Sequence, residues 1–370
     1  MGGTAMRFFE KLLYEGKNEW FYQLPIEFTK YTDKKTLRYC IGAALYMPAT
    51  RQVIAQEIIA HKHPACTSII LDLEDALGDL QVVQGEKQLY ETLSELQLAL
   101  ENQQLSIKDM PLLFVRVRNV VQLEKVIQLL GPLQHVLTGY VFPKFSSTDG
   151  HLYLQQIEAQ NRLGFQLYVM PILESRAILN SESRLAELLA IRQLLEQYEP
   201  YVLNVRIGST DFCGALGLRR SIRQTVYDLA PVQNCLADIM NVFLRDHSPF
   251  VLSGSVWEYF GTDASLDGLL REIELDSLNG LIGKTIIHPS HIDAVQARYV
   301  VTHEEFSDAE RIVLQSYGEI GVEKSNYGNK MNEMKPHFIW AERILLRAQA
   351  FGVLKEGYSY EHLIQRPVVV

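Results

Sequence analysis

Eight short runs of apolar and β-branched residues recur along the chain, at 43–47, 68–72, 112–118, 138–142, 167–172, 202–207, 250–252 and 284–287. Runs of this length with little polar alternation mark strands buried on both faces, as parallel strands are. Amphipathic stretches with helical spacing fill the intervals, among them 120–130, 152–163 and 183–198. Strand and helix alternating eight times over about 250 residues predict an α/β fold, a (β/α)8 TIM barrel. A doubly wound open sheet is the rival arrangement.

This pattern divides the 370 residues into an N-terminal extension (1–38), a barrel (39–300) and a C-terminal helical lid or oligomerisation arm (301–370). The longest insertion, 210–249, follows the sixth run and carries its own helical pattern at 231–244, so it is expected to shape the barrel mouth. Beyond residue 300 the pattern reads as helix only, at 306–321 and 336–351, with a polar segment between. A 47% apolar content supplies a large core, and a formal net charge of −9 argues against nucleic acid as a partner. Cys40, Cys66, Cys213 and Cys235 form no CxxC pair, as expected for reduced thiols in a cytoplasmic protein. Residues 1–6 lack a basic stretch leading into an apolar run, and no run is long enough to cross a bilayer, so neither leader nor membrane is expected.

In a barrel the chemistry gathers where strands end, so the charged residues that follow each run are the candidates. The second run ends in Asp72-Leu-Glu74-Asp75, the third in Arg116-Val-Arg118, the fourth in Pro143-Lys144, the fifth in Glu174, and the sixth in Gly208-Ser209-Thr210-Asp211. Acids and bases converging on one axis are costly to bury unless a hard cation reconciles the acids and the arginines hold an anion. Arg116 and Arg118, two apart on one strand, are expected on the same face.

These segments also resemble a known family. SIILDLEDA, LFVRVRN, YVFPKFSS, LYVMPILESRAIL, NVRIGSTDFCGALG and GKTIIHPSHI, in that order, are similar to the strand motifs of the citrate lyase β-subunit and HpcH/HpaI aldolase superfamily. The resemblance implies a metal-dependent carbon–carbon lyase in which Glu174 and Asp211 bind Mg²⁺ or Mn²⁺. Arg116 would bind a substrate oxygen and stabilise an enolate, with Asp72 and Glu74 as acids beneath the metal. Lys144, Gly208, Ser209 and Thr210 would line the substrate. The expected substrate is a small anion, a 2-oxo acid or hydroxy acid derivative or an acyl thioester, and the expected assembly a homo-oligomer, a trimer or hexamer. Glu333, in GNKMNEMKPH, resembles an acid that relatives place near a neighbouring subunit's site. Two positions depart from the family. Gly42-Ala43 stand where Arg-Ser is common on the first strand, and Asp75 where the aldolase branch has His. A Claisen-type synthase, phosphoenolpyruvate-type chemistry and a non-catalytic scaffold in a stress-response system are the alternatives.

Several motifs have plainer readings. Lys144 as an ion-pair partner outweighs Lys144 as a Schiff-base nucleophile. His288 and His291, three apart across Pro289, read as hydrogen-bonding groups rather than metal ligands. Gly283-Lys284-Thr285 imitates a P-loop ending, but Leu278 replaces the required glycine and an apolar strand follows.

Overall fold

A computed structural model describes residues 6–316, 318 and 320–364. Those parts of the expected 1–38, 301–370 and 306–321 segments that fall on other residues lie outside the described residues.

All eight expected strands form: β1 (Ala43–Pro48), β2 (Ser68–Asp72), β3 (Leu112–Arg116), β4 (Gly139–Phe142), β5 (Tyr168–Leu173), β6 (Val205–Ile207), β7 (Leu252–Ser253) and β8 (Lys284–Ile286). Neighbours pair in parallel in the order β7-β6-β5-β4-β3-β2-β1-β8. Just past β7, Gly254 bridges to Lys284, its amide donating to the Gly283 carbonyl at 2.9 Å, and this link brings the two ends of the sheet together. The fold is therefore a (β/α)8 barrel, as the strand-helix alternation predicts.

Burial on both faces is why the strand runs are nearly unbroken. Val115, Phe114, Val141, Phe142, Val169 and Met170 are all shielded from solvent. Each such side chain contributes about 1.5–3 kcal/mol on burial. Some helices start where the sequence supplies a cap. The Asn119 side chain accepts from the Gln122 amide to open Val120–Leu130, and Thr302 with Glu305 forms a capping box on His303–Gln315.

The N-terminal segment crosses beneath the barrel, on the face opposite the strand carboxyl ends. The Met6 amide donates to the Lys108 carbonyl at 2.8 Å. Lys30 Nζ donates to the carbonyls of His135 and Leu137 at 2.7 and 2.5 Å, just before β4. Its strand Phe21–Gln23 pairs antiparallel with Val353–Leu354, and Phe8 stacks on Phe351 with ring centroids 4.2 Å apart.

The C-terminal part differs from the all-helical expectation. Between His303–Gln315 and Phe338–Phe351 the polar segment folds as an antiparallel hairpin, Val322–Lys324 against Met331–Glu333. Its polar residues are held by Asp308 on the preceding helix, whose Oδ1 accepts from Ser325 Oγ at 2.8 Å and Asn332 Nδ2 at 2.7 Å. Glu304 and Arg311 on the same helix hold Lys330 and Glu323 as well, and a hairpin fixed by such side-chain contacts leaves no local periodicity to read. All four cysteines are buried free thiols. Among the described residues no helix is long and apolar enough to cross a membrane.

Candidate active site

The strand carboxyl ends enclose two adjoining cavities, of about 420 and 620 Å³, that share Asp75, Glu174, Thr210 and Asp211. On one wall Asp72, the last residue of β2, lies in register with Arg116, the last of β3. Arg116 donates Nε and Nη2 to the two Asp72 oxygens at 2.7 and 2.6 Å. Its Nη1 lies 2.9 Å from Glu74 Oε2. Asp72 also accepts from the backbone amides of Glu74 and Ala76, so the acidic turn after β2 is wound around its own carboxylate. Burial works against the Arg116 charge, but the Asp72 bond and the fields of Asp72 and Glu74 outweigh it, and Arg116 stays a cation. Arg118 does not share this wall. The strand stops at Arg116, Asn119 starts a helix, and Arg118 turns outward to pair with Asp79.

Lys144 takes a left-handed backbone, φ +48°, two residues after β4. Its amide donates to Glu174 Oε1 at 2.8 Å, its ammonium lies 2.5 Å from Glu74 Oε1 and 3.5 Å from Asp211 Oδ1. Burial would lower its pKa, but the Glu74 bond and the charges of Glu74 and Asp211 raise it well above normal. An ammonium held this way is an ion-pair partner and a poor nucleophile, in line with the plainer reading.

Glu174 follows β5 and is 6% exposed. Burial first, then the field of Asp211, pushes its pKa up to about 8. Gly208, just after β6, lets the Glu174 carboxylate lie directly against the backbone, since a Cβ there would sit 1.8 Å from Glu174 Oε2. Asp211 opens the helix Ser209–Leu216 and faces both cavities. Among the described residues no group of three or more His, Cys, Asp or Glu side chains is arranged as a closed metal site. What the mouth offers instead is two carboxylates beside open space, the donor set that suits Mg²⁺, which keeps several waters and takes one or two carboxylates. Burial likewise raises the Glu74 pKa against the opposing pull of Arg116 and Lys144.

The structure thus brings Asp72, Glu74, Arg116, Lys144, Glu174, Gly208, Thr210 and Asp211 together. Ser209 is left out. It is buried at the helix start and lines neither cavity, because the first turn points it away from the axis. Glu333 sits on the second strand of the C-terminal hairpin, its amide donating to His337 Nδ1, and also lines neither cavity within this chain. The remaining motifs are structural. Lys284 is buried between Glu272 and Asp276 at 2.9 and 2.6 Å, which removes any P-loop role. His288 bonds Ser290, and His291 Nε2 lies 3.0 Å from the Tyr259 carbonyl.

One residue escaped the sequence reading. Arg206, the middle residue of β6, points into the same cavity. Its signal was a lone charge inside the apolar run VLNVRIG, which a strand pattern absorbs as noise.

A family model described as a C-C bond lyase of the TIM-barrel fold matches residues 35–353. No curated protein matches significantly. Among solved structures, a citrate lyase from Burkholderia xenovorans LB400 superposes with a TM-score of 0.63 at 15% identity, covering 88% of this chain and 96% of its own. CitE from Mycobacterium tuberculosis, in complex with magnesium, acetoacetate and coenzyme A, gives 0.53 at 18% identity, covering 84% and 99%. RipC from Yersinia pestis gives 0.50 at 17% identity, covering 72% and 99%. At these identities the likeness speaks to the fold.

Proposed function

The chain belongs to the C-C bond lyases of the TIM-barrel fold, and on that premise we propose that it cleaves a carbon–carbon bond in a 2-oxo acid or hydroxy acid derivative with the help of Mg²⁺ or Mn²⁺. The observation that carries this reading is the pairing of two carboxylates, Glu174 and Asp211, on one cavity whose opposite wall is the Arg116 guanidinium. The magnesium and acetoacetate held by the Mycobacterium tuberculosis CitE structure are the kind of ligands this mouth suits.

In this reading Glu174 and Asp211 hold the metal. When bound, the cation supplies Lewis-acid polarisation of a substrate carbonyl or carboxylate. The protein does the rest. Arg116, locked in orientation by Asp72, faces the oxygen on which negative charge develops as the bond breaks, and a preoriented donor costs no reorganisation at that moment. Glu74, shared between Arg116 and Lys144, sets the spacing of the two cations. Gly208 and Thr210 shape the wall next to the substrate. The same groups serve a Claisen-type condensation run in the opposite direction.

Calorimetry with Mg²⁺ and Mn²⁺ tests the assignment. Glu174→Gln and Asp211→Asn should each lose divalent binding while keeping a cooperative thermal transition, and unchanged affinity in both overturns it. Glu333 enters as a proton donor or acceptor delivered from a neighbouring subunit of a cytoplasmic homo-oligomer. Mixing Glu333→Gln with Glu174→Gln subunits, each inactive alone, should restore activity; no recovery despite proven subunit exchange removes Glu333 from the mechanism.

A further inference from the structure

Two arginines reach the cavity, and their surroundings are opposite. Arg116 is satisfied by Asp72 and Glu74. Arg206 is 1% exposed and, among the described residues, makes no ion pair. Its Nη2 donates to Thr285 Oγ1 on β8 at 2.6 Å, while Nε and Nη1 have no partner. Both guanidinium groups approach the ring of Tyr46, Arg116 at 5.1 Å and Arg206 at 5.9 Å from its centroid. A buried cation with unmet donors is strongly unfavourable unless something anionic or polar completes it, and a guanidinium matches a carboxylate in shape as well as charge.

The position of Arg206 says which part of a ligand it meets. Arg206 is in register with Ile172, two residues before Glu174, and lies two residues before Gly208. It therefore enters the barrel one inward-facing layer, roughly 6–7 Å, below the backbone level of the carboxylate pair. Thr285, its partner, belongs to the same deeper region, while Asp211 lies beyond the strand end. A ligand held at Glu174 and Asp211 by one end would present its far end to the floor.

We propose that Arg206 and Thr285 form an anion subsite on the cavity floor, which takes a carboxylate of the substrate other than the one directed to Glu174 and Asp211. The substrate is then an acid with a second anionic group. This last step rests on the proposed metal-dependent function; the floor subsite itself stands on Arg206 and its unmet donors.

The test uses the full-length protein and Arg206→Met, which keeps a flexible apolar stem but no charge. In Mg²⁺, calorimetry compares oxaloacetate with 2-oxobutyrate, which share a four-carbon 2-oxo acid skeleton and differ in the distal carboxylate. The native chain should prefer oxaloacetate by roughly tenfold or more, and Arg206→Met should bind the two about equally, since charged hydrogen bonds of this kind are the stronger class. In EDTA, malonate should raise the melting temperature of the native chain and not of Arg206→Met. The unliganded variant should melt no lower than the native chain, because an unpaired buried charge has been removed; a residue that only supported the fold would lower it. Failure of both 2-oxo acids to bind in Mg²⁺ while the malonate response persists refutes the metal reading and leaves the subsite standing. Equal affinity of the native chain for the two 2-oxo acids, or a malonate response retained in Arg206→Met, overturns the subsite.

Discussion

Replacing Gly208 with alanine adds one methyl group where the site has no room for it. The backbone there has φ −104° and ψ 74°, so an alanine meets no left-handed strain and its effect is steric. The new Cβ would stand 1.8 Å from Glu174 Oε2, 2.7 Å from its Cβ and 2.8 Å from its Cδ. Ordinary contact needs about 3.5 Å, so the carboxylate must retreat by roughly 1.5 Å. Metal and catalytic groups tolerate only about 0.5 Å of misplacement. The retreat also strains the 2.8 Å bond from the Lys144 amide that fixes the other oxygen. Divalent affinity should fall about 10–100-fold, equal to roughly 1.4–2.8 kcal/mol. Overpacking adds a stability loss of about 1–3 kcal/mol. Isothermal titration with Mg²⁺ and Mn²⁺ measures the first, and urea unfolding of the metal-free protein the second. A folded Gly208→Ala protein that binds metal as tightly as the native chain would refute the reasoning, because Glu174 would then not be the group the metal needs.

Three further outcomes follow from other parts of the barrel. Burial lowers the His291 pKa from 6.5 to about 4, and its Nδ1 has no partner, so the folded chain refuses a proton that the unfolded chain accepts. Stability is therefore unaffected above pH 6.5, falls as the pH drops towards 4 and levels off below it; His291→Gln should lose about 2 kcal/mol less than the native chain between pH 7 and 4.5 in urea titrations. Arg116→Lys should lower kcat more than it raises KM once a substrate is in hand, because a point charge cannot reproduce the fork seated on Asp72; a change confined to KM would make Arg116 a ground-state binding group. Lys284→Ala should cost about 3–5 kcal/mol in chemical unfolding, since it takes the cation from Asp276 in a dry interior and leaves it only the Tyr227 hydroxyl, while Glu272 keeps Arg220; a loss under 1 kcal/mol would contradict that picture.

What could be read in advance follows from where the determining forces are local. The eight strands were legible because burial on both faces writes an unbroken apolar run, and the charged residues after β2 to β6 stood out against that background. Arg118 was placed on the wrong face because period-2 alternation holds only while the strand continues, and Asn119 ends it by capping a helix. The hairpin 322–333 was invisible for a different reason. Its polar residues are satisfied by Glu304, Asp308 and Arg311 on the preceding helix, and no periodicity records such contacts. Arg206 was missed because a charge inside a strand run looks like a flaw until its surroundings show Nε and Nη1 without a partner among the described residues.

The pairing of Phe21–Gln23 with Val353–Leu354 beneath the barrel has a temporal side. Phe8 is tucked against Phe28 and Phe351, yet a ribosome makes Phe8 and Phe351 more than 300 residues apart. At about 5–20 residues per second the early segment waits roughly 15–70 s for its partner. During that interval the apolar strap lacks its cover from Phe351, and the strand Phe21–Gln23 has an open edge. The docking of Phe338–Phe351 and Val353–Leu354 onto that earlier segment then follows the synthesis of all eight barrel strands. A nascent chain stalled before residue 338 should carry its whole set of active-site strands and still behave as a substrate for chaperones.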